Sequence, residues 1–262
     1  MSSTTPTPPP SSLTERRKTE TRMEIARAAA GLFVRHGLRA TRAEDIAQAA
    51  GIAPRTFYRY FATKEEAVAP LYAAGAQRWV EAVRAAPAEA GVLHALEQGV
   101  RHTLTPGVGI SASSWEGVRA LLCLAESTPS LRRVWAEVCQ ASERLLGEVL
   151  AQRVTRAGAA EDPEAPAVPD SDDNVAGSPP PASAAPLAPA SAAPLAPASA
   201  ALPSPAFVAT PELRFAAAVA SAAVRAALEA WAAGDGPAEG PDGPAELALR
   251  NLTALRDFPW GR

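Results

Sequence analysis

Between Thr41 and Lys64 the sequence TRAEDIAQAAGIAPRTFYRYFATK packs two short helical segments, a glycine turn and a ring of phosphate-seeking side chains into 24 residues. Thr41 followed three residues later by Glu44 forms a capping-box pattern, which predicts a helix from Arg42 with Ile46, Ala47 and Ala50 facing inward. Gly51 ends it. Ile52 packs under the turn, and Pro54 has the fixed backbone angle suited to the first position of a second helix, Arg55 to Tyr60. Phe57 and Phe61, four apart, point back into the core. Arg55, Thr56, Tyr58, Arg59 and Tyr60 share the remaining surface, which is what a recognition helix presents to the major groove.

The chemistry fits that reading. Arginine makes paired hydrogen bonds to guanine or a charge-assisted bond to phosphate, and the hydroxyls of Thr and Tyr donate to phosphate oxygens. Thr63 and Glu66 repeat the capping-box pattern around Lys64, which sets a cation beside the free N–H groups of a helix N-terminus, a natural phosphate clamp. Upstream, Arg16, Arg17 and Lys18 lead into a first helix with a core stripe of Ile25, Ala29, Leu32 and Phe33, ending near His36 and Gly37. The three cations read equally as a basic arm on DNA or as a solvated helix start, and His36 reads as a C-terminal cap.

These residues resemble the DNA-reading domain of the tetracycline-repressor (TetR-like) family of bacterial transcription regulators. The likeness rests on Thr41, Ile46-Ala47, Ala50-Gly51-Ile52, Thr56-Phe57-Tyr58, Phe61 and Lys64-Glu65-Glu66. It implies that Tyr58 and Lys64 grip phosphates, that Thr41 and Arg42 anchor the supporting helix, and that Arg55 and Arg59 lie nearest the base edges. Pro54-Arg55 and Tyr60 depart from the family's usual small residue, glycine and histidine, and these departures bear on which bases are read.

Charge distribution points the same way. The chain carries −3 overall, yet residues 13–66 hold 11 Lys/Arg against 7 Asp/Glu, so the basic end is the DNA end. Cys123 and Cys139 come without a His/Cys cluster, which predicts buried thiols in a reducing cytosol rather than a metal site or a disulfide framework. The Ser, Thr and Pro of residues 1–12 do not form a signal peptide, and the alanine-rich stretches are broken by Arg, Glu or Pro, so no membrane span and a cytoplasmic location are expected.

Farther along, a fourth helix from Lys64 towards Ala85 is expected to kink at Pro70. Helical segments follow at about 91–104, 114–126 and 130–156, the last with a stripe of Leu131, Val134, Val138, Ala141, Leu145 and Val149. A final long helix, Pro211 to Ala233, has Thr210 as its cap and carries Phe215, Val219, Ala223, Leu228 and Trp231. Its alanines permit close helix approach, and two such helices from each of two subunits would form a four-helix dimer interface, as the resemblance also implies. Residues 158–210 hold 12 of the 26 prolines and a tandem repeat, SAAPLAPA, at 183–190 and 191–198, so they are expected to form a disordered, extended insertion.

The chain is therefore read as all-α: a disordered tail over 1–12, a helix-turn-helix domain over 13–66, and a regulatory and dimerisation bundle over 67–157 and 211–262, interrupted by the insertion. The candidate effector pocket comprises Trp79, Val83, Leu93, Leu96, His102, Trp115, Val118, Leu122 and Trp135, each of which also suits core packing, and it points to a mostly apolar small molecule. No nucleophile-base pair, phosphate loop or metal-ligand spacing is present, and the three histidines are poor material for catalysis, so no enzyme activity, metal or cofactor is expected. The function expected is a homodimeric regulator of a palindromic double-stranded operator, with repression relieved by the effector. A ligand-independent or activating regulator of the same fold is the alternative.

Overall fold

The first three helices, each with one apolar face, build a head, and the later helices build a body; the computed structural model describes residues 13–108, 114–161 and 209–260. The expected 1–12 tail and all but the edges of the 158–210 insertion lie outside the described residues. Every described element is helical.

Helix α1 (Leu13–His36) buries Ile25, Ala26, Ala29 and Phe33, while Leu32 is half-buried. Helices α2 (Ala43–Ala49) and α3 (Pro54–Tyr60) form the expected pair. Gly51 takes φ +68° between them, a left-handed conformation that a side chain would resist, and the Ile52 N–H closes the turn on the Ala47 carbonyl at 2.9 Å. Pro54 opens α3, where its missing N–H would have no helical partner. The cap of α2 differs from expectation. Arg42 is the N-cap, and its N–H donates to Asp45 Oδ2 at 2.8 Å. Thr41 instead turns inward, 2% exposed, and donates to the Gly37 carbonyl at 2.9 Å. The adjacent acids Glu44 and Asp45 offered two registers, and the bond from Thr41 to the end of α1 selected the later one.

A 3₁₀ turn (Glu65–Val68) precedes α4 (Ala69–Ala85). Pro70 is thus the second residue of α4 rather than the interior residue expected, a first-turn position where its missing N–H costs the helix no bond. The body adds α5 (Val92–Leu104), α6 (Trp115–Ser127), α7 (Pro129–Glu161), α8 (Pro211–Ala233) and α9 (Pro244–Ala254). The α4–α5 crossing depends on Gly99, where a Cβ would sit 2.7 Å from Val83 Cγ2. On α7 the buried stripe drifts from Leu131 and Val134 to Ser142, Leu146, Val149 and Leu150, leaving Leu145 38% exposed, contrary to expectation. Phe215 on α8 is likewise 62% exposed, while Ala216, Ala217, Ala220 and Ala227 carry the packing. Helix α8 is long and apolar enough to cross a membrane by length and composition, but its alanine face is buried in this core.

Arg153 secures the body from inside. Its guanidinium donates to the carbonyls of Val83, Ala86, Pro87 and Ala90 at 2.7–3.2 Å, so one α7 side chain binds acceptors at the end of α4 and in the following loop, of which Pro87 also accepts from the Ala90 N–H. It is 6% exposed, and burial, then Arg156, lowers its pKa from the usual arginine value. Replacing it with methionine keeps the apolar stem but strands these carbonyls. Arg153→Met is expected to lose about 3 kcal/mol of stability, read as a lower urea midpoint; an unchanged midpoint would show that water serves these carbonyls equally well.

Candidate DNA-binding surface and effector cavity

Helix α3 is seated by Phe57, fully buried, with Phe61 3% exposed beside it at a ring-centroid distance of 5.8 Å. That anchoring turns Arg55, Tyr58 and Arg59 to the outside, with Thr56 and Tyr60 half-buried at the flanks. The Arg59 guanidinium lies 5.5 Å from the Tyr60 ring centre. Tyr58 hydroxyl donates to Glu44 Oε1 at 3.4 Å, and Glu44 pairs with Arg42 at 3.7 Å, so an exposed polar chain links the two helices of the reading unit. Both contacts are solvent-accessible and easily exchanged for phosphate contacts. Arg16, Arg17 and Lys18 are exposed within the first turns of α1, a helical position rather than an extended arm.

Lys64 has a use that its sequence position did not disclose. Its ammonium donates to the carbonyls of Leu38 at 2.7 Å and Thr41 at 2.8 Å, tying the α3–α4 corner to the α1–α2 loop. Two of its three N–H donors are thereby committed, and one remains for an outside acceptor. The next helical turn is held by the Glu66 N–H bonding to Thr63 Oγ1 at 3.2 Å, while Glu66 Oε2 accepts from the Ala62 N–H at 3.1 Å.

A cavity of about 850 Å³ lies where head and body meet. Of the residues singled out from sequence, Trp79, Trp115, Val118, Leu122 and Trp135 line it. Val83 and Leu96 are fully buried in the body core instead, Leu93 packs against that core, and His102 is exposed on the surface. Sequence reasoning missed the contribution of the head, since Met23, Arg27 and Val34 of α1 form one wall. The signal was present in small residues: Ala30 and Gly31 on α1 and Ala74 and Gly75 on α4 also line the space, and a Cβ on Gly75 would meet nothing within 4 Å.

The inner wall is largely uncharged. Burial pushes the Cys139 thiol up to about 12, with Arg225 opposing and Glu229 and Glu143 adding to the rise. Tyr72 is also raised by burial and then by Cys139; its hydroxyl donates to the Leu121 carbonyl at 3.0 Å, and its ring meets Trp135 edge-on at 5.1 Å. Trp135 Nε1 donates to Glu229 at 2.9 Å. Among the described residues no cluster of His, Cys, Asp and Glu is placed to hold a metal ion.

Residues 25–69 match the family described as bacterial regulatory proteins, tetR family. The chain is 31% identical over 156 residues to the HTH-type transcriptional regulator TcmR of Streptomyces glaucescens, covering 58% of this chain and 68% of that protein. Among solved structures, it is similar to Thermus thermophilus FadR, a TetR-family transcriptional repressor solved with lauroyl-CoA, at 20% identity and a TM-score of 0.47, covering 92% of this chain and 96% of that one. The fatty acid degradation regulator FadR of Bacillus halodurans is similar at 25% identity and a TM-score of 0.36, covering 52% of this chain and 69% of that one.

The geometry makes Lys64 testable as a tether. Lys64→Met is expected to cost about 1–3 kcal/mol and to speed amide hydrogen exchange around residues 38–42 in the absence of DNA; protection equal to that of the unmodified chain would show that the two carbonyl bonds hold nothing in place.

Proposed function

The chain belongs to the tetR family of bacterial regulatory proteins, and from that premise we propose that it is a homodimeric repressor released from a palindromic operator by a small, mostly apolar effector. That it is a DNA-binding transcriptional regulator and not an enzyme follows from the family itself. The observation that carries the finer reading is the outward set Arg55, Tyr58 and Arg59 on a helix pinned by Phe57, in a head whose first helix also forms a wall of the cavity.

In this reading α3 enters the major groove, Arg55 and Arg59 meet base edges, and Thr56, Tyr58 and Tyr60 bond to the backbone. Arg42, the third donor of Lys64 and the cations Arg16, Arg17 and Lys18 add phosphate contacts, while the buried Thr41 supports the loop that Lys64 holds. Phe215, Leu145 and the half-buried Val219 leave apolar surface on α7 and α8, which supports pairing of those helices with their counterparts in a second copy. Two heads then face successive half-sites one helical turn apart.

The effector acts through the cavity. Its walls include α1, which belongs to the head, and α4, which leads from the head into the body. An occupant that fits only when α1 and α4 separate favours a head spacing that DNA does not, and this differential affinity is the coupling between the two sites. Such a regulator works beside the chromosome, in the cytoplasm.

Selection of bound duplexes from a randomised library tests the reading, with an inverted repeat as the expected product. On that duplex, Arg55→Ala is expected to relax preference at one position of each half-site, at a cost of about 1–3 kcal/mol per site. Tyr58→Phe is expected to weaken all duplexes alike, by roughly 3- to 10-fold in anisotropy titrations. A product without two-fold symmetry would overturn the palindromic operator, and an unchanged base preference in the Arg55 variant would remove it from base reading.

A further inference from the structure

Building on the effector reading, we infer that the effector is an organic anion: a flat apolar body that fills the aromatic interior, carrying one acidic group that lies against the arginines of α1. The polar lining of the cavity is one-sided. Arg27, Arg35, Arg78 and Arg225 contribute to it, and no Asp, Glu, Lys or His does.

The four arginines are not equivalent. Arg225 is offset by Glu229 at 3.7 Å, and Arg78 donates through Nε to the Ala74 carbonyl at 3.2 Å. Arg27 and Arg35 stand two turns apart on α1 with Gly31 between them, all three on the face that lines the cavity. The Arg35 guanidinium folds back over Gly31, where a Cβ would come within 3.3 Å of its Nη1. A glycine at this point lets the cation lie along the helix towards the cavity instead of standing off it. Among the described residues no carboxylate pairs with either Arg27 or Arg35. Both are exposed, so an anion meeting them keeps part of its hydration and escapes the full cost of burying a charge.

Deeper in, the lining changes character. Trp79, Trp115, Tyr72 and Trp135 border the cavity, and of these the half-buried Trp135 offers the most ring surface to an apolar partner. Thr103, Ser142 and Trp115, each more than nine-tenths buried, own polar atoms with no partner in the protein, as does Ser221. These polar atoms have almost no surface open to the cavity, so uncharged oxygens on the ligand body would reach them only as the wall shifts to admit it. The unpaired Trp79 indole nitrogen is a different case, since it borders Gly99, where an added Cβ would come within 3.2 Å of it. A cation fits worst of all, for it would meet like charge at the opening and no carboxylate in the lining.

Two fluorescent probes with the same fused-ring and phenyl framework separate the charge from the apolar body: 8-anilinonaphthalene-1-sulfonate and neutral N-phenyl-1-naphthylamine. Each is titrated into the full chain and read by energy transfer from the lining tryptophans, with mutual displacement to show a common site. The sulfonate is expected to bind once per chain and roughly tenfold tighter than the neutral probe. Raising the salt concentration is expected to erase the difference by weakening the sulfonate alone. In the double variant R27Q/R35Q the sulfonate is expected to fall to the neutral probe's affinity, which itself stays unchanged. Equal binding of the two probes to the unmodified chain, a result that needs no variant to fold, would overturn the anionic assignment while leaving the cavity as an effector site. Failure of both probes to bind with single-site stoichiometry would overturn the assignment and the effector reading together.

Discussion

Helices α2 and α3 are too short to enclose the side chains they offer, so the core of the head is closed by the body. Ile25, Phe33, Ile46, Phe57 and Phe61 share one cluster with Leu121 and Ala125 of α6 and with Leu131 and Val134 of α7. A small three-helix unit buries too little surface to be rigid by itself, and the borrowed residues supply the missing contacts. The helix-turn-helix therefore owes its shape to helices that also form the body. No flexible linker separates the two, and α6 and α7 contribute to the same apolar cluster as Phe57.

The cavity occupies the same junction. Trp135 borders both apolar clusters, meets Tyr72 edge-on and is held by Glu229 through its indole N–H. Tyr72 in turn holds α4 to α6 through the Leu121 carbonyl. A guest between these groups competes with packing that serves the head, and packed junctions of this kind switch between discrete arrangements rather than stretching smoothly. Arg153 and Gly99 fix the far half of α4 against α7 and α5, which leaves the half nearer the head as the part able to yield.

Local chemistry made the reading unit legible from sequence: a glycine turn, a proline at a helix start and two phenylalanines four apart each act within a few residues. The misread positions involve distant partners or long registers. The cap of α2 was misplaced by one residue because Thr41 is drawn to Gly37 across the loop. Over the length of α7 the buried face rotates, since 3.6 residues per turn does not keep step with a fixed spacing, and Leu145 slips outward. Helix α9 was missed because its pattern is short and follows a Gly- and Pro-rich stretch, although Ala248, Leu249 and Leu252 close the body core. Arg153 was unreadable because its acceptors are main-chain carbonyls 63–70 residues away. The α1 wall of the cavity was hidden because small residues announce space only once their neighbours are known.

The alanine-rich composition of α8 gains its meaning from α7. Gly147 faces Ala209 and Ala217, and a Cβ added there would stand 3.5 Å and 3.8 Å from their methyl groups, an ordinary packing distance, so small residues let the two segments run close. Close approach of backbones replaces large interlocking side chains as the source of packing, with Leu146, Val149 and Leu150 filling the margins. This places the start of α8 beside α7, so the chain between 161 and 209 links two elements already held together by their own contact. The small-residue contact between α7 and α8, rather than the segment that joins them in sequence, is what fixes their geometry.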